Sequence, residues 1–447
     1  MSGLFGPLFV PDALAEATSD RAWLEAMLEV ESALAVVEAR AGVIPSAAAS
    51  AIAHAAQVQR FDVDELGRAA RDSGNPVVPL VRGLRQALPQ DAARFVHWGA
   101  TSQDILDTAA MLVCRRALDL IVVEIDAVAS ACAALAGAHR TTVMAGRTLL
   151  QQALPMTFGL KASGWLAAVD DARVRLARLR ADGLAVQLGG GAGTLASLGS
   201  AGEVVLRELA GELALAEPVV PWHTARGRVA ELGAALAVAG GALGKVALDI
   251  VLLAQTEVSE ASEAADTGRG SSSTMPHKRN PVAAIRAIAC ARRLPALAGV
   301  LLGAMAQEHE RAAGAWHAEW QPLGEALALT GGAAACVRES LDGLELDRER
   351  MRANLDATAG AAMAERVALA VAEHADRDAA HAAVASAVAR AADGTRPLRD
   401  ELLAEPLVCA HLSPAAIDEA LDPETYLGCA DAFVERALHA HRTRDDA

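Results

Sequence analysis

The stretch Leu232–Ala254, LGAALAVAGGALGKVALDIVLLA, decides the fold. It is apolar on nearly every side, far longer than a strand, and rich in alanine, the strongest helix former. A membrane span wants about 20 apolar residues free of charge, and Lys245 and Asp249 interrupt this one. Gly233, Gly240, Gly241 and Gly244 offer small surfaces on which another helix can approach closely. The segment reads as a core helix of a large bundle, too apolar all round to be covered within one subunit.

The same three- and four-residue spacing recurs outward along the chain. In Leu24, Met27, Leu28, Glu31, Leu34 and Ala35 only the acid breaks an apolar stripe. Aromatics make up 3%, Tyr426 is the single tyrosine, and alternating strand patterns are hard to find. An all-α chain is expected, with long helices over Asp104–Arg140, Thr157–Ala181, Arg228–Ser262 and Pro281–Glu310. Breaks fall at Gly74-Asn75-Pro76, at His97–Ser102, at Gly189–Gly193 and at Gly268–Pro281. Charge rises over Leu346–Arg352. Three helical domains follow, 1–103, 104–346 and 347–447, the middle one a bundle of long helices.

Across 447 residues, 40 Lys+Arg stand against 56 Asp+Glu, a net charge of −16. That balance argues against a nucleic-acid partner, because neutralising phosphates takes a surplus of basic residues. Mean hydropathy is +0.25, yet no stretch reads as a membrane span and the N-terminus lacks the basic start of a secretory signal. A cytoplasmic protein is expected. The six cysteines contain no C-x-x-C pair and read mostly as buried small hydrophobes. With 12 histidines and no H-E-x-x-H, no metal is expected.

Chemistry concentrates in Gly268–Pro281, GRGSSSTMPHKRNP. Small and hydroxyl residues open it, and Lys278-Arg279-Asn280-Pro281 close it before a long helix. Asn280 suits a cap and Pro281 a first helical position, so unpaired N–H groups would face Lys278 and Asn280 as an anion site. A plain Ser/Gly linker explains the glycines but not Met275-Pro276-His277-Lys278. A second stretch, Gly99-Ala100-Thr101-Ser102-Gln103-Asp104, has capping-box spacing between Thr101 and Asp104. Thr101 and Ser102 also suit a carboxylate. A third, Gly146–Pro155, offers Arg147 and Gln151 and is weak alone.

Taken together, these segments resemble the fumarase/aspartase superfamily, whose signature reads GSSxMPxKxNP; Ser271 stands here for its leading glycine. Further matching stretches are Gly74–Val81 (with Asn75), Pro221–Thr224, Gln307–Arg311 and Trp316–Trp320. The resemblance covers nearly the whole chain and lies nearest to cycloisomerase members. It implies a homotetramer with a central helix bundle, each active site shared among three subunits, and no cofactor. The implied substrate is a small tricarboxylate, one of whose carboxylates adds to a conjugated double bond to give a γ-lactone. By family position Ser272 transfers the proton, with Ser273 adjacent and His277 or Lys278 as alternative donors. Substrate binding is implied for Thr101, Ser102, Asn75, Arg147, Gln151, Asn280, His309 and Arg311.

Many superfamily lyases carry a Thr-His pair where this chain has Thr148-Leu149. In the reverse direction lactonisation expels a carboxylate, which ionises near pH 4 unaided; an amine or hydroxide needs a positioned acid. Around His309 the charged residues read more readily as a solvated or inter-subunit salt-bridged face than as a binding site. His223 reads as a buried ring, and Gly189–Gly193, lacking Gly-Lys-Ser/Thr, as a tight connection rather than a nucleotide loop. The competing functions are an elimination lyase such as adenylosuccinate lyase and a non-catalytic assembly of the same fold.

Overall fold

The computed structural model describes residues 3–264, 275, 278–394 and 396–444. Six long helices dominate it: α1 Asp20–Arg40, α2 Ser102–Ala138, α3 Phe158–Arg178, α4 Gly227–Leu253, α5 Val282–Gly303 and α6 Ala315–Asp342. An antiparallel hairpin, β1 Val143–Thr148 and β2 Gln151–Thr157, separates α2 from α3. The short strands β3 Ala261–Glu263 and β4 Leu344–Leu346 pair antiparallel, Glu263 opposite Leu344. The all-α expectation holds, with this small β content added.

Two expected helices end early, each for a visible reason. After Leu253 the chain turns through Ser259 at φ 51, and the Glu260 N–H returns to the Leu253 carbonyl at 2.9 Å. After Gly303 the Gln307 side chain donates to the Ala304 carbonyl at 3.1 Å and takes a C-terminal acceptor that a further turn would have used. The Gln307–Arg311 stretch is therefore not helical; α6 begins beyond it. The hairpin went unread because Pro155 and paired glutamines hide any alternation.

Chain contacts divide the molecule into two compact units. The first comprises Met1–Ala127, Asp171–Gly244 and Arg286–Arg338; the second comprises Val128–Asp170, Lys245–Ile285 and Glu339–Ala447. In the first unit, glycines let α4 and α5 meet. A Cβ at Gly233 would lie 2.5 Å from Leu301, and one at Gly240 2.1 Å from Leu294. Leu232, Leu236, Ala239 and Leu243 are buried there. In the second unit, Val367, Val371, Val384, Leu402, Val408 and Ile417 form a core of their own.

By length and composition alone, α2 and α4 are each long and apolar enough to cross a membrane, a test that core helices of soluble proteins also pass. Their polar residues are instead satisfied by protein groups. Asp104, Asp107 and Thr108 are buried in hydrogen bonds near the start of α2, and Asp249 of α4 takes the Trp165 indole N–H at 2.7 Å. Cys114, Cys132, Cys290 and Cys336 are buried thiols in no disulfide; Cys409 and Cys429, by contrast, are exposed.

Candidate active site

In the first unit the site is organised by Asp104 at the start of α2. Its buried carboxylate accepts from the backbone N–H groups of Thr101 (2.9 Å), Gly189 (3.0 Å) and Gly190 (2.9 Å), and from His223 Nε2 at 2.6 Å. The Thr101 bond is one half of the expected capping box. The others show what the glycine run does: a Cβ at Gly189 would strike His223, and one at Gly190 would lie 2.8 Å from the Gly99 carbonyl. The run is a point of close approach. Gly190 in turn accepts from the Arg311 guanidinium, so segment 99–102, loop 189–193 and Arg311 are held through one carboxylate.

One turn further along α2, Asp107 and Glu319 clasp the buried Arg226. Arg226 donates to Asp107 at 2.7 and 3.1 Å and to Glu319 at 3.0 Å, under Trp222. Burial opposes its charge, but the two carboxylates push its pKa above the usual arginine value. Burial also raises Glu319, against the pull of Arg226. The Trp316 indole donates to Asp107 at 2.9 Å, and Gln307 reaches Glu319 at 3.2 Å. Arg311 itself is half-buried and lowered by desolvation. His309 stands at φ 45 beside it. Asn75 spends its side-chain oxygen on the Val77 N–H at 3.1 Å, a local turn bond. Asp104, Asp107, Arg226 and Glu319 lay outside the nominated set; acids at the buried end of an apolar helix were the available signal.

The second unit holds Arg147, Gln151, Lys278 and Asn280. Arg147 makes a bidentate pair with the buried Glu260, 2.8 and 2.6 Å, and Asn354 donates to the same carboxylate at 2.8 Å. The Arg147 guanidinium is thus paired with a buried protein carboxylate. The anion site expected at the start of α5 is also occupied from within. Glu263 accepts from the Ala283 and Ala284 N–H groups at 3.1 and 2.9 Å and from the Ser340 hydroxyl at 2.7 Å. Lys278 is exposed and Asn280 half-buried just ahead of that turn, and Gln151 is exposed. Lys161 is half-buried, lowered by desolvation. Ser272, Ser273 and His277 lie outside the described residues.

A cleft of about 310 Å³ beside Arg178, Asp182, Arg228 and Glu231 contains no nominated residue. Among the described residues no group of three or more His, Cys, Asp or Glu is placed to hold a metal ion.

Comparison with known proteins agrees with this frame. A lyase family model matches residues 10–294, and a model of the adenylosuccinate lyase C-terminus matches residues 360–437. The chain is 48% identical over 441 residues to a 3-carboxy-cis,cis-muconate cycloisomerase of Bradyrhizobium diazoefficiens, covering 98% of both chains. It is also 48% identical over 448 residues to a nitrosuccinate lyase of Streptomyces davaonensis, covering 98% of this chain and 94% of that one. The crystal structure of 3-carboxy-cis,cis-muconate lactonizing enzyme from Pseudomonas putida superposes with a TM-score of 0.93 at 42% identity, covering all of both chains. With its helices, buried carboxylate clasps and signature segment in this order, the chain belongs to the lyase family of the fumarase/aspartase superfamily.

Proposed function

We propose that the chain is a cofactor-independent cycloisomerase that closes 3-carboxy-cis,cis-muconate to 4-carboxymuconolactone, a step of protocatechuate breakdown. The carrying observation is the full-length match, in sequence and in structure, to enzymes of that activity. One substrate carboxylate attacks the conjugated double bond, and the displaced electron pair moves onto the far carboxylate as an enediolate. Lys278, Asn280, Thr101 and Ser102 are the donors that meet this charge. Ser272 then gives a proton to the α-carbon, with Ser273, His277 and Lys278 as its alternatives. Gln151, Asn75, His309 and Arg311 complete the substrate-binding set, and Arg147 holds its strand in place through Glu260.

Thr148-Leu149 supports the reading against leaving groups that need a proton. It does not separate lactonisation from nitrite elimination, since nitrite also departs as a stable anion. Equal identity to the nitrosuccinate lyase makes that the second reading. Loss of the diene absorbance on adding 3-carboxymuconate supports the first; nitrite release from nitrosuccinate, with the muconate untouched, supports the second.

A homotetramer with shared sites belongs to the same proposal. Val238 and Leu248 on α4 and Ile285, Val300 and Leu302 on α5 are each 42–51% exposed in the single chain, apolar surface that further copies would cover. Four buried thiols in no disulfide fit a reducing, cytoplasmic setting.

A further inference from the structure

The start of a helix leaves backbone N–H groups without partners inside it. At α5 every one of these is accounted for. Pro281 brings no N–H, and the Val282 N–H returns to the Asn280 carbonyl at 2.9 Å. Those of Ala283 and Ala284 go to the Glu263 carboxylate, at 3.1 and 2.9 Å. The Ile285 N–H, 3.0 Å from the Pro281 carbonyl, then makes the first regular bond of the helix. No N–H group of this turn is left for a ligand.

A cap is ordinarily local: a Ser, Thr, Asp or Asn directly ahead of the helix suffices. Glu263 instead reaches Ala283 from 20 residues upstream, from the far side of the signature segment. Its backbone lies in β3, opposite Leu344 of β4. Gly343 lets the chain close up there, since a Cβ on it would lie 2.6 Å from that of Ala264. From a third direction the Ser340 hydroxyl, in the last turn of α6, donates to the same carboxylate at 2.7 Å. One side chain therefore joins β3, the start of α5 and the end of α6. Capping a helix does not by itself call for such a junction. What it does hold is the approach to Lys278. Between Lys278 and the clasped Ala283 stand Pro281, with its fixed φ, and the tight Asn280–Val282 turn. The exposed Lys278 is thus carried on a short, stiff lead from that turn.

We propose that Glu263 is a positioning residue. By clamping the first turn of α5 to β3 and α6, it fixes where Lys278 presents its ammonium to the charge that develops on the substrate. The assignment rests on the cycloisomerase reading and deepens it. In this role Glu263 touches no substrate. It keeps the substrate's carboxylates off the α5 N–H groups and leaves the developing charge to Lys278, a donor that then needs no reorganisation during reaction.

The test is Glu263→Ala with and without sodium formate, an anion small enough to occupy the vacated place between the two N–H groups and the Ser340 hydroxyl. Parent and variant are compared in kcat and KM for 3-carboxymuconate, melting temperature and subunit number, with sodium chloride at equal ionic strength as control. kcat is expected to fall about 10- to 100-fold, the effect of a small misplacement of a catalytic group, while KM stays within about threefold. Formate restores part of the lost kcat saturably, and chloride does not. Ser340→Ala keeps the carboxylate but removes one of its three donors; its kcat falls about 2- to 10-fold, as for one hydrogen bond. That variant carries the test if Glu263→Ala does not fold. Unchanged kcat per folded subunit overturns the assignment and leaves the cycloisomerase reading intact. So does an undiminished kcat beside a lowered KM, which would give the vacated N–H groups to the substrate. A kcat that falls only with the folded fraction, unrelieved by formate, makes Glu263 a structural cap and overturns it too. A parent enzyme that leaves the muconate untouched overturns the reading and the assignment together.

Discussion

His223 Nε2 lies 2.6 Å from a carboxylate oxygen of Asp104, and both side chains are almost completely buried. Around that pair, two backbone N–H groups of the glycine run and one of segment 99–102 converge on the same acid. Replacing Asp104 by Asn puts an amide N–H₂ among four donors and breaks a buried pair. A stability loss of about 3–5 kcal/mol is expected, with kcat/KM falling alongside it. Thermal denaturation and steady-state kinetics on the same preparation check this.

The Arg147–Glu260 pair separates positioning from substrate binding. If Arg147 acts by neutralising Glu260, Arg147→Met strands a buried carboxylate and costs about 3–5 kcal/mol. Adding Glu260→Gln removes that charge, and the double variant recovers most of the stability and part of the activity. A direct clamp on substrate gives a different pattern: equal loss of activity in single and double variants. A double-mutant cycle in melting temperature and kcat/KM distinguishes them.

These two clusters show what was legible in the sequence and what was not. The long helices followed from Ala/Leu periodicity, and the Thr101–Asp104 cap from its spacing. Asp104's other partners lie 85 and more residues away, and local spacing carries no information about such pairings. Arg147 was legible as a polar group but not as a neutralised one, because Glu260 sits 113 residues away. The start of α5 had the composition of an open anion site, and only the fold reveals that Glu263 fills it. The hairpin was missed for a different reason: its turn is made by leucines, which no turn signal marks.

Lys278 is exposed, so its removal leaves packing intact. Lys278→Met is expected to fold and melt as the parent does, while kcat/KM drops about 10²- to 10³-fold, the loss typical of one preorganised donor to a developing anion. Circular dichroism with lactonisation kinetics checks it.

Buried Glu38, beside Glu31 on α1, gives a pH signature. Desolvation first, and the Glu31 charge second, push its pKa from 4.5 up to about 9. The folded state therefore holds a proton that the unfolded chain has released over that whole interval. Its contribution to stability is complete below pH 4.5 and is lost as pH rises towards 9. Glu38→Gln keeps the neutral form at every pH. Its melting temperature relative to the parent is expected to rise steadily from pH 5 to pH 8, as read by denaturation across a buffer series.

The central claim, ring closure with proton delivery to carbon, is tested most directly by product NMR in D₂O with purified enzyme and 3-carboxy-cis,cis-muconate. The expected spectrum is that of 4-carboxymuconolactone carrying one solvent-derived deuterium on the carbon α to the conjugated carboxylate. An unchanged muconate spectrum, in a preparation that releases nitrite from nitrosuccinate, would contradict it.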